Sequence, residues 1–250
     1  MSFLTRVDEA NRKLNDRFFP RSKPRFVDRF RELGWELSQC DQLVLHLGSG
    51  HLDLESYLGV ASRRMRILNL DISQGDLQKN AARLRICADA EALPLPSDEV
   101  DWICAQSVFE HFRCPQRVLE ECWRVLKEGG CLVVSGPNGW SYVALLARCT
   151  PLWFHKWVRR MQRALTSDEA DAFPTFYRFS SPRTIRRLAR NAGFDVLSLQ
   201  TFVGEPCYTA WLPVLHLAFI AYHKFLEKLN PIFNFHLTSV VVLRKVPERN

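Results

Sequence analysis

From residue 43 to residue 135, short apolar runs alternate with stretches of helical periodicity, and no other feature restricts the fold as much. Leu43–Leu47, Arg66–Leu70, Leu84–Ala88, Val100–Ala105 and Cys131–Ser135 read as five strands. Between them Asp53–Val60, Gln74–Arg83 and Pro115–Lys127 carry helical patterning, with a Gly129-Gly130 turn ahead of the fifth strand. Strands separated by helices at this spacing predict an α/β fold, a parallel sheet covered on both faces. Such sheets bind ligands at the carboxyl ends of their strands, which is where chemistry is expected.

Outside this stretch the texture changes. Residues 1–41 read as a basic, amphipathic helical cap with Phe18, Phe19, Phe26, Phe30, Leu33 and Trp35 as apolar anchors. Residues 138–178 mix Trp140, Tyr142, Trp153, Phe154, Trp157, Phe173 and Phe176 with basic residues. A helix follows over Pro182–Asn191, stopped by Gly193, and Phe194–Val203 and Leu237–Leu243 read as further strands. Between these strands, Tyr208–Leu229 holds an apolar run of about 12–15 residues, too short to span a bilayer and suited to a buried or interfacial helix. One domain over 1–250 is expected, with 43–136 as its ligand-binding core and 138–178 and 205–234 as helical lid insertions.

The net charge of +7 is concentrated in the first forty residues and in 156–190. It predicts a solvated basic face, an anionic membrane surface or an acidic substrate, whereas nucleic acid ranks last because no RNA-binding motif accompanies it. Eight cysteines lie scattered without a CxxC pair. Cys87, Cys104 and Cys131 fall in or beside apolar runs, so they read as reduced core residues of a cytoplasmic protein without a metal site. Met1-Ser-Phe-Leu-Thr-Arg6 leads into polar sequence, so no secretory signal is expected.

The residues suited to chemistry follow strand ends. Gly48-Ser49-Gly50 lies between the first strand and a helix, where the lack of a Cβ lets a ligand approach the backbone. Asp53 stands where a dinucleotide-binding turn carries its third glycine, and its carboxylate would repel a pyrophosphate. Asp71 ends the second strand and can accept both hydroxyls of a ribose; alone it also suits a helix N-cap. Asp89 follows the third strand, where its carboxylate can accept from an adenine amino group. Gln106 ends the fourth strand, and Glu110-His111 follow in the next loop.

The run from Asp89-Ala-Glu-Ala-Leu-Pro-Leu-Pro through Asp101 to Arg124-Val-Leu-Lys-Glu-Gly-Gly130 resembles class I methyltransferases of the group that includes ubiquinone and menaquinone biosynthesis enzymes. Phe179-Ser-Ser-Pro-Arg-Thr-Ile-Arg-Arg-Leu-Ala-Arg-Asn-Ala-Gly-Phe194 resembles their penultimate helix and strand. The resemblance implies a Rossmann-like seven-stranded sheet, mostly parallel with an antiparallel last strand. It also implies S-adenosyl-L-methionine as cofactor, contacted by Gly48, Ser49, Gly50, Asp71, Ile72, Asp89, Ala90 and Gln106. The chain departs from the family at His46, where the first strand usually ends in Asp or Glu, and at Leu52, usually a small residue.

The function this implies is methyl transfer to a small hydrophobic or amphipathic acceptor, with His111 as the candidate base, peripheral membrane association, and aromatic, basic segments around the acceptor. His51 and Tyr177 are weaker candidates for the site. A methyltransferase-fold protein that binds without turnover is the second reading, motivated by His46 and Leu52. An NAD-dependent oxidoreductase is the third; Asp53 and the lack of a Tyr-x-x-x-Lys pair weigh against it.

Overall fold

The computed structural model describes residues 13, 17–18, 42–54, 65–139, 141, 150, 173–202, 213–229 and 238–246. The cap over 1–41 apart from residues 13 and 17–18, the helix over Asp53–Val60 beyond Leu54, most of 138–178, and residues 205–212 and 230–234 lie outside these residues. The chain separates into two compact units: one holds 26–137, 175–200 and 239–250, the other 1–25, 138–174 and 201–238.

Seven strands form one sheet: β1 (Gln42–Leu47), β2 (Met65–Asp71), β3 (Leu84–Cys87), β4 (Val100–Gln106), β5 (Leu126–Pro137), β6 (Phe194–Phe202) and β7 (Thr238–Lys245). The described helices are α1 (Gln74–Lys79), α2 (Pro115–Val125), α3 (Pro182–Asn191) and α4 (Pro213–Leu229), with a 3-10 turn at Phe109–His111. The strand order is β3-β2-β1-β4-β5-β7-β6. β1 pairs in parallel with both β2 and β4, β2 with β3, and β4 with β5. The sheet turns antiparallel at its last strands, as the resemblance implied. The chain winds outward from β1 to β3 on one side and resumes at β4 on the other, so a switch point opens beside the carboxyl end of β1.

Strand alternation sorts the side chains. Leu45, Leu47, Ile103, Ala105, Leu132 and Val134 share one core cluster with Val118, Leu119, Cys122 and Val125 of α2 and Ile185 and Ala189 of α3. Their alternates Val44, His46, Cys104, Val133 and Ser135 are buried as well, as expected of strands covered on both faces.

Part of the family-like stretch serves this packing. Arg124 donates from Nη1 to the Leu95 carbonyl at 2.8 Å and from Nη2 to the Leu93 carbonyl at 3.0 Å. It also forks onto both oxygens of Glu121, whose Oε2 accepts the Leu93 amide at 2.8 Å. The Leu93-Pro-Leu95 segment is thereby tied to α2, and the Arg124 guanidinium holds the Glu121 carboxyl below its ordinary pKa.

Several element ends differ from expectation, and three of the differences have a local cause. α1 stops at Lys79 instead of Arg83, because Asn80 leaves the helical region with ψ 126°. α2 stops at Val125 instead of Lys127, because Leu126 already pairs with Val100. The next register pair is Trp102 with Cys131, so Asp101 faces Lys127, Glu128, Gly129 and Gly130 in an irregularity within β5. The Gly129-Gly130 turn is therefore inside the strand pairing, with Gly129 at φ +73°. Cys104 and Cys131 are buried, but Cys87 is exposed, because β3 is an edge strand of the sheet.

Candidate active site

Three successive amides of the β1 turn are held by the end of β2. Gly48 N and Ser49 N both donate to the Leu70 carbonyl, at 2.8 and 3.0 Å, and Gly50 N donates to Asp71 Oδ2 at 2.7 Å. Asp71 Oδ1 accepts the Ser73 amide at 2.8 Å, so the carboxylate pins the turn on one side and the entry to α1 on the other. Two lone pairs of that carboxylate stay available to a ligand.

The two glycines are required for different reasons. Gly48 has φ +68°, and an added Cβ would lie 2.3 Å from Val108 Cγ2. Gly50 has φ +50°, but nothing lies within 4 Å of a Cβ built there. Val108 thus closes one side of the turn, and the space before Gly50 is open. Ser49 is buried, with its hydroxyl unpartnered.

Beside Asp71, the Ile72 side chain is 65% exposed at the edge of the sheet, an apolar surface next to a carboxylate. Ala88 N donates to the Asp71 carbonyl at 3.0 Å, which sets the exposed Asp89 and the buried Ala90 just past β3. Asp89 Oδ1 accepts from Glu91 N at 2.9 Å. Gln106 closes β4 opposite Ser135, and Ser107 turns the chain immediately after it in the left-handed region, at φ +50°.

His46 is fully buried and shares a 2.9 Å hydrogen bond between Nδ1 and Asn69 Oδ1 across the β1–β2 register. Burial lowers its pKa, so the imidazole is neutral near pH 7 and no negative charge stands at that position. His51 is exposed beside the turn. His111 closes the 3-10 turn, its amide bonded to the Val108 carbonyl at 2.9 Å.

The sequence pointed to His111, whereas the structure adds its neighbour Glu110. The Glu110 carboxyl is buried with Oε2 unpartnered, and desolvation pushes its pKa up to about 7. Its own carbonyl accepts the Phe176 and Tyr177 amides at 2.7 and 3.3 Å, which holds Tyr177 at φ +52°. An acid flanked by Val108 and Phe109 is the signal that marks it, since an apolar flank buries what it brackets.

Residues 45–134 match the family model described as a methyltransferase domain. Over 108 residues the chain is 32% identical to 2-methyl-6-phytyl-1,4-hydroquinone methyltransferase of Arabidopsis thaliana, covering 41% of this chain and 32% of that protein. It is 33% identical to malonyl-acyl-carrier-protein O-methyltransferase of Methylococcus capsulatus, covering 37% and 36%. The chain therefore spans about a third of the length of these curated relatives. A longer match, 23% identical over 75% of this chain and 84% of the relative, joins it to ubiquinone biosynthesis O-methyltransferase of Cupriavidus pinatubonensis.

The fold is shared with the 4+2 cyclase SpnF, at TM-score 0.58 and 18% identity over 88% of this chain and 81% of that one. It is equally shared with an S-adenosylmethionine-dependent methyltransferase from Archaeoglobus fulgidus, at TM-score 0.56 and 18% identity over 88% and 92%.

Two stability measurements check this geometry. Gly50→Ala should cost about 1–2 kcal/mol in urea unfolding, the strain of a left-handed alanine. Gly48→Ala should cost a further 1–3 kcal/mol or so, for the overlap with Val108, and Val108→Ala in that background should recover part of the loss. Equal losses at the two glycines would contradict the geometry.

Glu110 makes the second check through pH. Its folded pKa is raised, so the stability linked to its proton is present below the unfolded value and lost as pH rises through about 7. Glu110→Gln should remove that loss, so the difference between variant and wild type should change by roughly 2–4 kcal/mol between pH 4.5 and pH 8. A pH-independent difference would place the carboxyl in water.

Proposed function

We propose that this chain binds S-adenosylmethionine at the carboxyl ends of β1, β2, β3 and β4 and transfers its methyl group to a small acceptor. The observation that carries this reading is how the β1 turn spends its amides. A dinucleotide needs turn amides free to receive a pyrophosphate. Here those of Gly48, Ser49 and Gly50 are bonded to β2, and Asp71 puts a negative charge beside them. S-adenosylmethionine has no phosphate and carries a positive sulfonium, so this edge suits it.

The chain's own residues fit its adenosine end. Asp71 offers lone pairs to the ribose hydroxyls, Ile72 an apolar face to the adenine, and Asp89 an acceptor for the exocyclic amine, with Ala90 packed beneath. At the amino-acid end the turn presents the Ser49 hydroxyl, while the neutral His46–Asn69 pair stands in place of a carboxylate. When bound, the cofactor supplies a methyl group on sulfur that is ready for in-line displacement.

What the protein then contributes is position and, for an acceptor that must lose a proton, a base. His111 and Glu110 share the turn that follows β4 and are the two groups for that role. Relatives named for a phytyl hydroquinone and for ubiquinone biosynthesis support a hydrophobic or amphipathic acceptor.

A second observation favours a lipid surface as the place where such an acceptor is met. In α4, Leu217, Ala221 and Phe225 follow one another a turn apart and are exposed, with Ala218 and Tyr222 beside them and Lys224 and Lys228 at one margin. No helix among the described residues is long and apolar enough to cross a membrane. An apolar stripe edged by lysines instead lies along an anionic interface, and the net charge of +7 adds attraction to it.

The test of activity is to incubate the chain with methyl-labelled S-adenosylmethionine and, separately, a lipid extract and a polar metabolite extract. Label is expected in the lipid fraction; label in the polar fraction alone would exclude the lipid-soluble acceptor, and none in either would favour binding without turnover. For the surface, the protein should sediment with anionic vesicles more than with neutral ones, and Leu217→Glu with Phe225→Glu should abolish that difference. Equal sedimentation of wild type and double variant would remove α4 from the contact.

A further inference from the structure

We infer that Asn80, outside every motif noted above, is a positioning residue that sets the shape of the cofactor turn. Its side chain is buried, and both its nitrogen and its oxygen are hydrogen-bonded. Nδ2 donates to the Gly50 carbonyl and to the Leu52 carbonyl, each at 3.0 Å, and Oδ1 accepts the Ala82 amide at 2.9 Å. Both amide hydrogens are thus spent on carbonyls flanking His51, and the oxygen fixes the residue from behind.

Its backbone is held equally firmly. Asn80 N donates to the Leu77 carbonyl at 3.2 Å as the C-cap of α1, and the Asn80 carbonyl accepts from Arg85 Nη1 at 2.7 Å. The same Arg85 nitrogen reaches the Leu77 carbonyl at 3.0 Å. β3 therefore braces the end of α1, and the end of α1 grips the turn after β1.

The consequence concerns Gly50 most directly. Its amide is held by Asp71 and its carbonyl by Asn80, so this peptide is gripped from both ends of the β2–α1 unit. The shape of Gly50–Leu52 is thus imposed from a second βα unit. That matters because Leu52 brings less backbone freedom than a glycine would, and a gripped carbonyl at Leu52 compensates by selecting one conformation. A neutral amide suits the task. A carboxylate would set negative charge against two carbonyls, and a hydroxyl could donate to only one of them.

The effect on the ligand rests on the reading of the turn as an S-adenosylmethionine site; the grip on the turn does not. The experiment measures both, using the full chain with Asn80→Asp, Asn80→Ser and a control, Leu77→Ala, which removes a buried side chain from the same helix without touching either carbonyl. Amide hydrogen exchange over residues 48–54 of the ligand-free protein reports the grip, and calorimetric titration with S-adenosylhomocysteine reports the ligand.

Exchange over 48–54 should rise roughly tenfold in Asn80→Asp, the scale of one or two lost hydrogen bonds, with a smaller rise in Asn80→Ser. Residues 126–137 should exchange as in wild type. S-adenosylhomocysteine should bind both variants about tenfold or more weakly, and Leu77→Ala at wild-type affinity below its lowered melting point. Unchanged exchange over 48–54 in Asn80→Asp overturns the inference, as does a Leu77→Ala protein that loses affinity equally. If wild type itself binds no S-adenosylhomocysteine, the methyltransferase reading fails while the exchange result still decides the grip.

Discussion

The end of β2 holds the turn after β1, and the rest of the site depends on that interaction. The Leu70 carbonyl takes two amides and the Asp71 carboxylate a third, so the glycine turn folds down onto β2 instead of presenting its N–H groups outward. The positive φ at Gly48 and Gly50 is the backbone's response to that pull. Val108, arriving from the loop after β4, closes against Gly48. The same bonds that build the turn leave it unable to cradle a phosphate, so one local geometry both shapes the site and narrows its ligand.

Around this point the family-like sequence divides into two kinds of residue. Leu93, Leu95, Glu121 and Arg124 are bound to one another, and their work is to fix α2 and the segment before β4. Asp71, Ile72 and Asp89 present exposed or half-exposed side chains at the carboxyl edge of the sheet, where the cofactor is proposed to bind. A motif read as one signature is thus part scaffold and part chemistry. The fold itself is shared with a cyclase as well as a methyltransferase, and a shared fold does not by itself carry an activity.

Much of the architecture was legible because a parallel sheet buried on both faces leaves continuous apolar runs, and five of its strands were read to within a few residues. The boundaries that moved did so where side chains or pairing overrode periodicity: Asn80 capping α1, and Leu126 joining the sheet before the helical pattern ended. Cys87 was misread because an apolar run says nothing about which strand forms an edge. His46 and Asn69 each interrupt an apolar strand, but only the β1–β2 register shows that the two interruptions meet. Asn80 was illegible for a related reason. Its partner Gly50 lies 30 residues away in sequence, and no local pattern encodes such a pairing.

The central claim is that Asp71 and the turn it holds form a site for a phosphate-free adenosine cofactor. Calorimetric titration of the intact chain with S-adenosylmethionine and with NAD tests it most directly. Saturable binding of one S-adenosylmethionine per chain, no heat from NAD, and a loss of about 1–3 kcal/mol in binding free energy for Asp71→Asn are the expected results. Binding of NAD in preference, or S-adenosylmethionine affinity indifferent to Asp71→Asn, would contradict the claim.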